Sequence, residues 1–151
     1  MTFAIVACVA PQHAGWLALR RQMFPHHADV ALLAEMTRFC AQPERHAQFI
    51  AAAADGAPLG FAEVSLRTDH VVGTSSSPVA FLEAIYVMPA ARRQGLARAL
   101  VAPVRAWARA RGCTELASDA LLDNAASHAM HRALGFDETR RVVYFRQSLD
   151  A

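Results

Sequence analysis

The sequence predicts an α/β fold built on one mixed sheet, with the element order β-α-α-β-β-β-α-β-α-β. Three observations predict it: short runs rich in β-branched residues alternate with segments of helical periodicity, an Asp-Gly pair separates two of those runs, and a glycine follows each of the last two helical segments. The chain has 151 residues, of which 54% are hydrophobic. These values predict a single domain, residues 1–151, that buries a substantial core.

The first half of the chain carries the signals of a strand, two helices and a hairpin. Phe24-Pro25-His26-His27 interrupts the helical periodicity, so we predict two helices joined by a polar loop, and Asp55-Gly56 predicts a tight hairpin turn. The predicted elements are a strand over 3–9, helices over 11–23 and 29–39, and strands over 49–54 and 59–67.

The second half begins with a loop rich in Gly, Ser and Thr, followed by an apolar run that is typical of a central strand. Pro89 ends that run, Gly112 and Gly135 follow the helical segments, and Asp123 or Asn124 caps the second of these. The predicted elements are a loop over 68–78, a strand over 79–88, a helix over 94–111, a strand over 113–118, a helix from 124 to about 134, and a last strand over 142–145.

The composition excludes several classes of function. The chain has fifteen arginines and no lysine, which rules out the Schiff-base and P-loop chemistries that depend on a lysine ammonium. Cys8, Cys40 and Cys113 form no C-x-x-C pair and are odd in number, so we expect reduced thiols in a cytoplasmic protein. No stretch approaches about 18 consecutive apolar residues, so we expect no membrane partner.

The segment Arg92-Arg93-Gln94-Gly95-Leu96-Ala97 lies between a predicted strand and a predicted helix. Gly95 allows a tight turn whose N–H groups point outward, and the N-terminus of the following helix attracts anions. Together with Arg98, the arginines of this segment predict a phosphate-binding loop, although such turns also occur without ligands. No nucleic-acid partner is expected, because the rest of the chain is not basic and no aromatic residues alternate with the arginines.

A polar stripe is predicted on the helix that follows Asn124. Asn124, Ser127, His128 and His131 have the spacing i, i+3, i+4 and i+7, so they share one helix face. That face either lines a cleft or is a solvated surface. No third ligand is spaced to join the two histidines, so no metal site is predicted.

Two carboxylates stand at unusual places. Glu83 lies inside the apolar run Phe81-Leu82-Glu83-Ala84-Ile85-Tyr86, where a charge is costly unless it is paired or faces a cavity. Either an ion pair with an arginine or a catalytic role would account for it. Asp119 follows a predicted strand, where it either begins a turn or adds a second carboxylate to the site.

These residues resemble the GNAT superfamily of acetyl-coenzyme A dependent N-acetyltransferases. Arg92-x-x-Gly95-x-Ala97 matches the superfamily's acetyl-CoA signature, and the Asn124 helix, with Ala133-Leu134-Gly135-Phe136 at its end, resembles the next motif. His131 stands where many members carry a tyrosine proton donor. Within the superfamily the chain is most similar to the aminoglycoside 6′-N-acetyltransferases, through residues 77–83, 117–120, 127–131 and 141–145.

The resemblance implies a mixed, mostly antiparallel sheet flanked by helices, with acetyl-CoA as co-substrate and no metal. In such enzymes one strand hydrogen-bonds the pantetheine arm, and the phosphate-binding loop holds the pyrophosphate. The implied acetyl-CoA contacts are Ile85, Tyr86, Val87, Arg93, Gln94, Gly95, Leu96, Ala97, Arg98 and Asn124.

On the substrate side, the resemblance implies that aromatic and acidic residues bind a polycationic aminoglycoside. Phe24 and His70 depart from the family's usual tryptophan and tyrosine and offer less stacking area. The implied contacts are Phe24, His27, His70, Glu83, Asp119 and Glu138.

The implied reaction is direct transfer of an acetyl group to the 6′-amine of an aminoglycoside antibiotic, which confers resistance. Glu83 is the first candidate for the base and Asp119 the second, while a backbone N–H near Val87 would polarise the thioester carbonyl. His131 or the N-terminus of the Asn124 helix would stabilise the leaving thiolate.

Two alternatives remain beside this function. One is a GNAT enzyme that acts on another amine, such as a polyamine or a peptide N-terminus. The other is a non-catalytic acetyl-CoA-binding module. The resemblance also implies a homodimer that pairs through the C-terminal strand after Arg141.

Overall fold

A sheet of five strands organises the fold. The computed structural model describes residues 2–150. The α/β class and the predicted order of elements are confirmed as far as the fourth helix. The strands are β1 (Phe3–Ala7), β2 (His46–Ala53), β3 (Pro58–Arg67), β4 (Val79–Val87) and β5 (Leu116–Ser118), and the helices are α1 (Trp16–Met23), α2 (Asp29–Cys40), α3 (Leu96–Ala110) and α4 (Ala125–Ala133).

The strands lie in the sheet in chain order, β1 to β5. The first three pairings are antiparallel, whereas β4 and β5 run parallel. The β3–β4 ladder contains one irregularity: Glu63 lies opposite Ala84 and Val64 opposite Leu82, so Glu83 is the extra residue of a β-bulge. The β4–β5 ladder covers only residues 80–82 of β4, so β4 extends well beyond its parallel partner.

Apolar side chains cover both faces of the central strands. On one face, Trp16 and Leu19 of α1 and Phe39 of α2 pack in a cluster with Phe61 of β3. Helix α3 contacts β2, β3 and β4. The β3 residues that alternate with Phe61 are buried as well, as expected for a strand covered on both sides.

Arg20 and Glu63 form a buried ion pair inside the α1–α2 cluster, which was not expected from the sequence. Arg20 donates to Glu63 from Nε at 2.8 Å and from Nη2 at 3.2 Å, and Trp16 donates its indole N–H to the same carboxylate at 2.9 Å. Burial raises the pKa of Glu63, while the hydrogen bonds from Arg20 and Trp16 act in the opposite direction. Arg20 also donates to the Leu32 carbonyl at 3.1 Å, so one side chain ties α1 to both β3 and α2.

Backbone contacts divide the chain into two units after Asp119. The first unit contains the sheet and helices α1 to α3, and the second contains α4 and the C-terminal segment. Within the second unit, Asn124, one of the two predicted cap residues, caps α4, because its Oδ1 accepts a hydrogen bond from the Ser127 N–H at 3.1 Å. Across residues 2–150, no helix has the length and apolar character needed to cross a bilayer.

Two predicted elements differ most from the structure, while β2 begins three residues earlier and β5 three residues later than predicted. Helix α1 begins at Trp16 and not at residue 11, because Gly15 adopts a left-handed φ of 87° that separates the helix from the preceding turn. The predicted last strand over 142–145 is wrong for the described chain, since residues 136–150 contain no helix or strand. β-Branched and aromatic residues favour a strand only when a neighbouring strand pairs with them, and sequence alone does not supply that neighbour.

Candidate active site

Strand β4 has an open edge at its C-terminal end. It pairs with β3 over its whole length, from Val79 to Val87, whereas β5 pairs with residues 80–82 only. In the described part of the chain, the other edge of residues 83–87 has no ladder partner. Unpaired backbone groups on a strand edge are the groups that bind an extended ligand as an added strand. This edge contains Ile85, Tyr86 and Val87, the three residues predicted to hold the pantetheine arm.

The phosphate-binding loop begins directly after that edge. A 3₁₀ turn, Pro89–Ala91, leads into Arg92, whose Nε donates to the Val87 carbonyl at 2.9 Å. Arg93 and Gly95 both have positive φ, 63° and 82°, and α3 begins at Leu96 with no acidic residue in its first turn. In a turn of this kind successive N–H groups can point toward one side, which makes a concave anion site.

Gly95 suits this loop through its backbone conformation. A Cβ at that position would meet no atom within 4 Å, so space alone does not demand glycine. The φ of 82° is what favours glycine, since a β-branched side chain is strained at that angle. Arg93, Gln94 and Arg98 are exposed around the loop, while Leu96 is buried and anchors the helix start. The loop therefore fits a pyrophosphate group in shape and in charge.

Glu83 lies in the bulge of β4 and is paired with Arg67 of β3. Arg67 donates to Oε1 from Nε at 3.1 Å and from Nη2 at 2.8 Å, and Nη2 also reaches Oε2 at 3.0 Å. The Ser65 hydroxyl donates to Oε1 at 2.6 Å. The Glu83 side chain remains 33% exposed, so the carboxylate is accessible from solvent. This ion pair explains how a central strand tolerates the charge.

Asp119 stands at the same level of the sheet as Glu83, on the neighbouring strand. Ser118, the last paired residue of β5, lies opposite Leu82, so Asp119 and Glu83 each follow one member of that pair. Adjacent strands are about 4.8 Å apart, which brings the two backbones together. Asp119 is exposed. The sequence predicted both acids, and the sheet register places their backbone positions side by side.

The connection between α1 and α2 carries the predicted aromatic and histidine contacts. Phe24 packs against the same apolar cluster as Tyr86, and its ring meets the His27 imidazole edge-on at 5.4 Å. Arg21 and Asp29 form a bidentate pair across the two ends of this connection, at 2.9 and 2.6 Å. The Tyr86 hydroxyl donates to Gln22 Oε1 at 3.0 Å and ties β4 to α1.

Glu83 and the α1–α2 connection share one side of the sheet. Phe61 and Glu63 contact α1, and Ser65, two residues further along β3, points the same way and donates to Glu83. His70 is exposed on the β3–β4 connection, three residues after Arg67.

The second unit holds the remaining predicted residues. His131 Nδ1 lies 2.7 Å from the Ser127 carbonyl oxygen, and since a carbonyl only accepts, Nδ1 carries the proton. The 3.3 Å contact between Nδ1 and Ser127 Oγ is therefore not a pair of nucleophile and base. Glu138 pairs with Arg141 at 2.5 Å and with Arg132 at 3.8 Å, and the Arg141 guanidinium lowers the pKa of Glu138. Between residues 2 and 150, no group of three His, Cys, Asp or Glu side chains is arranged to hold a metal ion.

Ser65 and Arg67 were not predicted as part of the site. A signal for them exists in the sequence, because both are polar, stand two residues apart on a predicted strand and so share a face. Their partner Glu83 comes 16 residues after Arg67, beyond a loop, and only the register of β3 against β4 brings the three together.

Three features together are expected of an acyl-coenzyme A dependent transferase: a strand edge without a ladder partner in the described residues, a glycine-containing turn directly after it, and two carboxylates at the same level of the sheet. The sequence matches the Acetyltransferase (GNAT) family over residues 13–136, and the chain belongs to this family. The predicted resemblance to the superfamily is thereby confirmed.

Known relatives match the chain along nearly its whole length. The aminoglycoside N(6′)-acetyltransferase type 1 of Stenotrophomonas maltophilia is 52% identical over 137 residues, which cover 91% of this chain and 88% of the relative. The protein of the same description from Serratia marcescens is 49% identical over 145 residues, or 96% and 99% of the two chains. The solved structure of AAC(6′)-Iy with the bisubstrate analogue CoA-S-monomethyl-acetylneamine has a TM-score of 0.91 and 42% identity, with 98% and 99% coverage.

Proposed function

We propose that this protein is an aminoglycoside 6′-N-acetyltransferase, which transfers an acetyl group from acetyl-CoA to the 6′-amine of aminoglycoside antibiotics and confers resistance to them. The observation that carries the proposal is the pair of carboxylates, Glu83 and Asp119, at the open edge of β4. A polycationic amino sugar needs acids at the point where its amine meets the thioester. Relatives about half identical to this chain and known as enzymes of this class support the same substrate.

The backbone geometry supports the acetyl-CoA contacts that we assign here. The edge of β4 at Ile85, Tyr86 and Val87 binds the pantetheine arm, and the loop from Arg93 to Arg98 binds the pyrophosphate. Asn124 contacts the CoA arm as well; its Oδ1 accepts one hydrogen bond in the cap of α4, and its amide NH₂ can donate to the arm. Bound acetyl-CoA supplies an activated acyl group and a thiolate leaving group.

Glu83 prepares the substrate amine for attack. An alkylammonium with a reference pKa of about 10.4 is protonated at neutral pH and cannot attack a carbonyl carbon. Glu83 accepts one proton from it, with Asp119 beside it to bind the cation, and the free amine then bonds to the acetyl carbon. As the carbon–sulfur bond breaks, the nitrogen releases its second proton, which goes to the departing thiolate or to solvent, and the neutral amide remains. A backbone N–H near Val87 stabilises the oxyanion.

The departing thiolate requires a proton or a dipole. The Nδ1 proton of His131 is hydrogen-bonded to the Ser127 carbonyl, so His131 can supply a proton from Nε2 only as an imidazolium. The N-terminus of α4 supplies a dipole.

The acetyl group passes directly to the amine, with no covalent enzyme intermediate. Burial raises the pKa of Cys8 to about 12 and also raises the pKa values of Cys40 and Cys113, so none of these thiols is a ready nucleophile.

The aminoglycoside rings lie against the α1–α2 connection and the acids. Phe24 and His27 provide ring contacts from that connection, and His70 adds one from the β3–β4 connection. Glu138 is the third acid assigned to the substrate. Since Glu138 already pairs with Arg141 and Arg132, a substrate ammonium group has to share it with them.

The quaternary structure and location belong to the same proposal. The chain functions as one N-acetyltransferase domain, residues 1–151, and as a homodimer in which the apolar segment 142–145 contacts a second copy. Val143, Tyr144 and Phe145 are 74%, 89% and 92% exposed, an unusual state for such residues in a single chain. The free thiols of Cys8, Cys40 and Cys113 suit the reducing cytoplasm.

The test is thiol release from acetyl-CoA by the purified protein with kanamycin or tobramycin, beside spermidine and a peptide amine. Release that depends on the antibiotic supports the proposal. Release only with spermidine or the peptide would refute it and favour an acetyltransferase for another amine. Binding of acetyl-CoA without release for any amine would favour a non-catalytic module.

A further inference from the structure

The Glu83 carboxylate is held unevenly by its neighbours. Oε1 accepts three hydrogen bonds, from the Ser65 hydroxyl at 2.6 Å and from Arg67 Nη2 and Nε at 2.8 and 3.1 Å. Oε2 accepts one, from Arg67 Nη2 at 3.0 Å. An oxygen of an ionised carboxylate offers two lone pairs, so Oε1 is saturated while Oε2 retains acceptor capacity.

Arg67 is itself fixed in place. Its guanidinium carbon lies 3.6 Å from the centroid of the Phe81 ring, two residues before Glu83 on β4. A stacked planar cation that also forms a fork with a carboxylate has little rotational freedom. Ser65 and Arg67 therefore restrict Glu83 directly, and Phe81 acts on it only through Arg67.

The bulge makes this arrangement possible. Glu83 is the extra residue of β4, and a bulged residue is re-aimed relative to the regular alternation of the strand. Its carboxylate reaches Ser65 and Arg67 on β3, while 33% of its side chain stays exposed. The exposed part of the side chain is the part left for a ligand.

We infer that Ser65 and Arg67 are positioning residues, which occupy Oε1 of Glu83 and so present Oε2 as the single oxygen that accepts the proton of the substrate amine. This inference rests on the proposed function, because it assigns the atom of Glu83 at which the amine is deprotonated. Arg67 remains bound to Glu83 during the reaction. Its contribution is to orientation, and the substrate does not touch it.

The test compares steady-state kinetics of wild type, Arg67→Gln and Arg67→Lys with tobramycin and acetyl-CoA. Gln removes both the charge and the fork, whereas Lys keeps the charge and loses the fork. We expect both variants to lower kcat by about tenfold or more, since misplacement of a catalytic group by about 1 Å is enough for such a loss. The KM for acetyl-CoA should stay within about twofold, and the KM for tobramycin should not rise.

Arg111→Gln is the matched control. Arg111 is also a stacked arginine, 4.0 Å from the Trp107 ring, but its hydrogen-bond partners are backbone carbonyls, among them those of Glu44 and Pro43, and not a carboxylate. This variant should keep kcat within about twofold. A thermal melt of each variant checks the fold. We expect the Tm of Arg67→Gln to lie within about 4 °C of wild type, which would show that only a surface ion pair has been lost.

Three outcomes would overturn the inference. An unchanged kcat in Arg67→Gln would show that Glu83 needs no orientation. Full recovery of kcat in Arg67→Lys would show that charge alone matters. A higher KM for tobramycin with unchanged kcat would place Arg67 in contact with the substrate. These results differ from failure of the proposed function. In that case the wild type itself would release no thiol with any aminoglycoside, and both the proposed function and this inference would be refuted.

Discussion

Replacement of Arg20 by methionine removes the cation from the buried pair with Glu63 while keeping a long side chain. The variant loses hydrogen bonds of 2.8 and 3.2 Å to Glu63 and one of 3.1 Å to the Leu32 carbonyl. Since the Arg20 and Glu63 side chains are 2% and 5% exposed, water does not replace these contacts. Removal of one partner of a buried pair costs about 3–5 kcal/mol. We expect that loss in the free energy of unfolding, or a decrease of about 6–20 °C in Tm.

The loss depends on pH in a direction set by Glu63. Burial raises the pKa of Glu63 in the folded protein, and in Arg20→Met the opposing hydrogen bonds from Arg20 are absent, so the pKa rises further. A carboxyl with a raised folded pKa contributes stability that is fully present below its unfolded pKa and is lost as pH rises through the folded pKa. The deficit of the variant should therefore be smaller at about pH 5 than at about pH 8.

The assay is urea denaturation followed by far-UV circular dichroism at both pH values. Arg21→Gln is the control, because Arg21 forms a similar bidentate pair with Asp29 in which both side chains are 52% exposed. The free energy of unfolding of this variant should remain close to that of wild type. The double variant Arg20→Met/Glu63→Leu should recover part of the loss, since apolar residues can replace a buried pair, while the Trp16 indole N–H loses its acceptor. A deficit under about 1 kcal/mol at pH 8, or one that grows on acidification, would refute this reasoning.

Three further predictions concern the site and the assembly. Gly95→Val should weaken acetyl-CoA binding at least tenfold in calorimetry, because valine is strained at a φ of 82°. The control Gly95→Asn should bind acetyl-CoA within about threefold of wild type. Equal affinities of the two variants would contradict the role of that backbone conformation. Glu83→Gln should lower kcat by about 100-fold or more with unchanged acetyl-CoA affinity, and a normal turnover would remove Glu83 from the role of base. Val143→Ser/Phe145→Ser should convert a dimer to a monomer in light scattering, and a wild type that is already monomeric would refute the proposed assembly.

Local signals in the sequence were enough to predict most elements and several site residues. The capping side chain of Asn124 and the glycine that opens the phosphate-binding loop depend on neighbours within a few residues, so composition and spacing reveal them. Glu83 stood out because a charge within an apolar strand demands an explanation. The explanation found in the structure is the ion pair with Arg67.

Features that depend on register were not predictable in the same way. The bulge at Glu83 comes from a shift in pairing between β3 and β4, and no residue type in that run specifies it. The Arg20–Glu63 pair joins residues 43 positions apart, although the i, i+4 spacing of Trp16 and Arg20 on one helix face was a usable signal. The strand predicted over 142–145 failed because propensity favours a strand but does not provide a partner.

The most direct test of the central claim is to locate the acetyl group on the product. Tobramycin treated with acetyl-CoA and the purified protein would be analysed by tandem mass spectrometry and by NMR. The account predicts one acetyl group, on the 6′-nitrogen, formed with efficient turnover and lost in Glu83→Gln. Acetylation at another nitrogen, or no acetylated antibiotic although acetyl-CoA binds, would contradict the assignment of this protein as an aminoglycoside 6′-N-acetyltransferase.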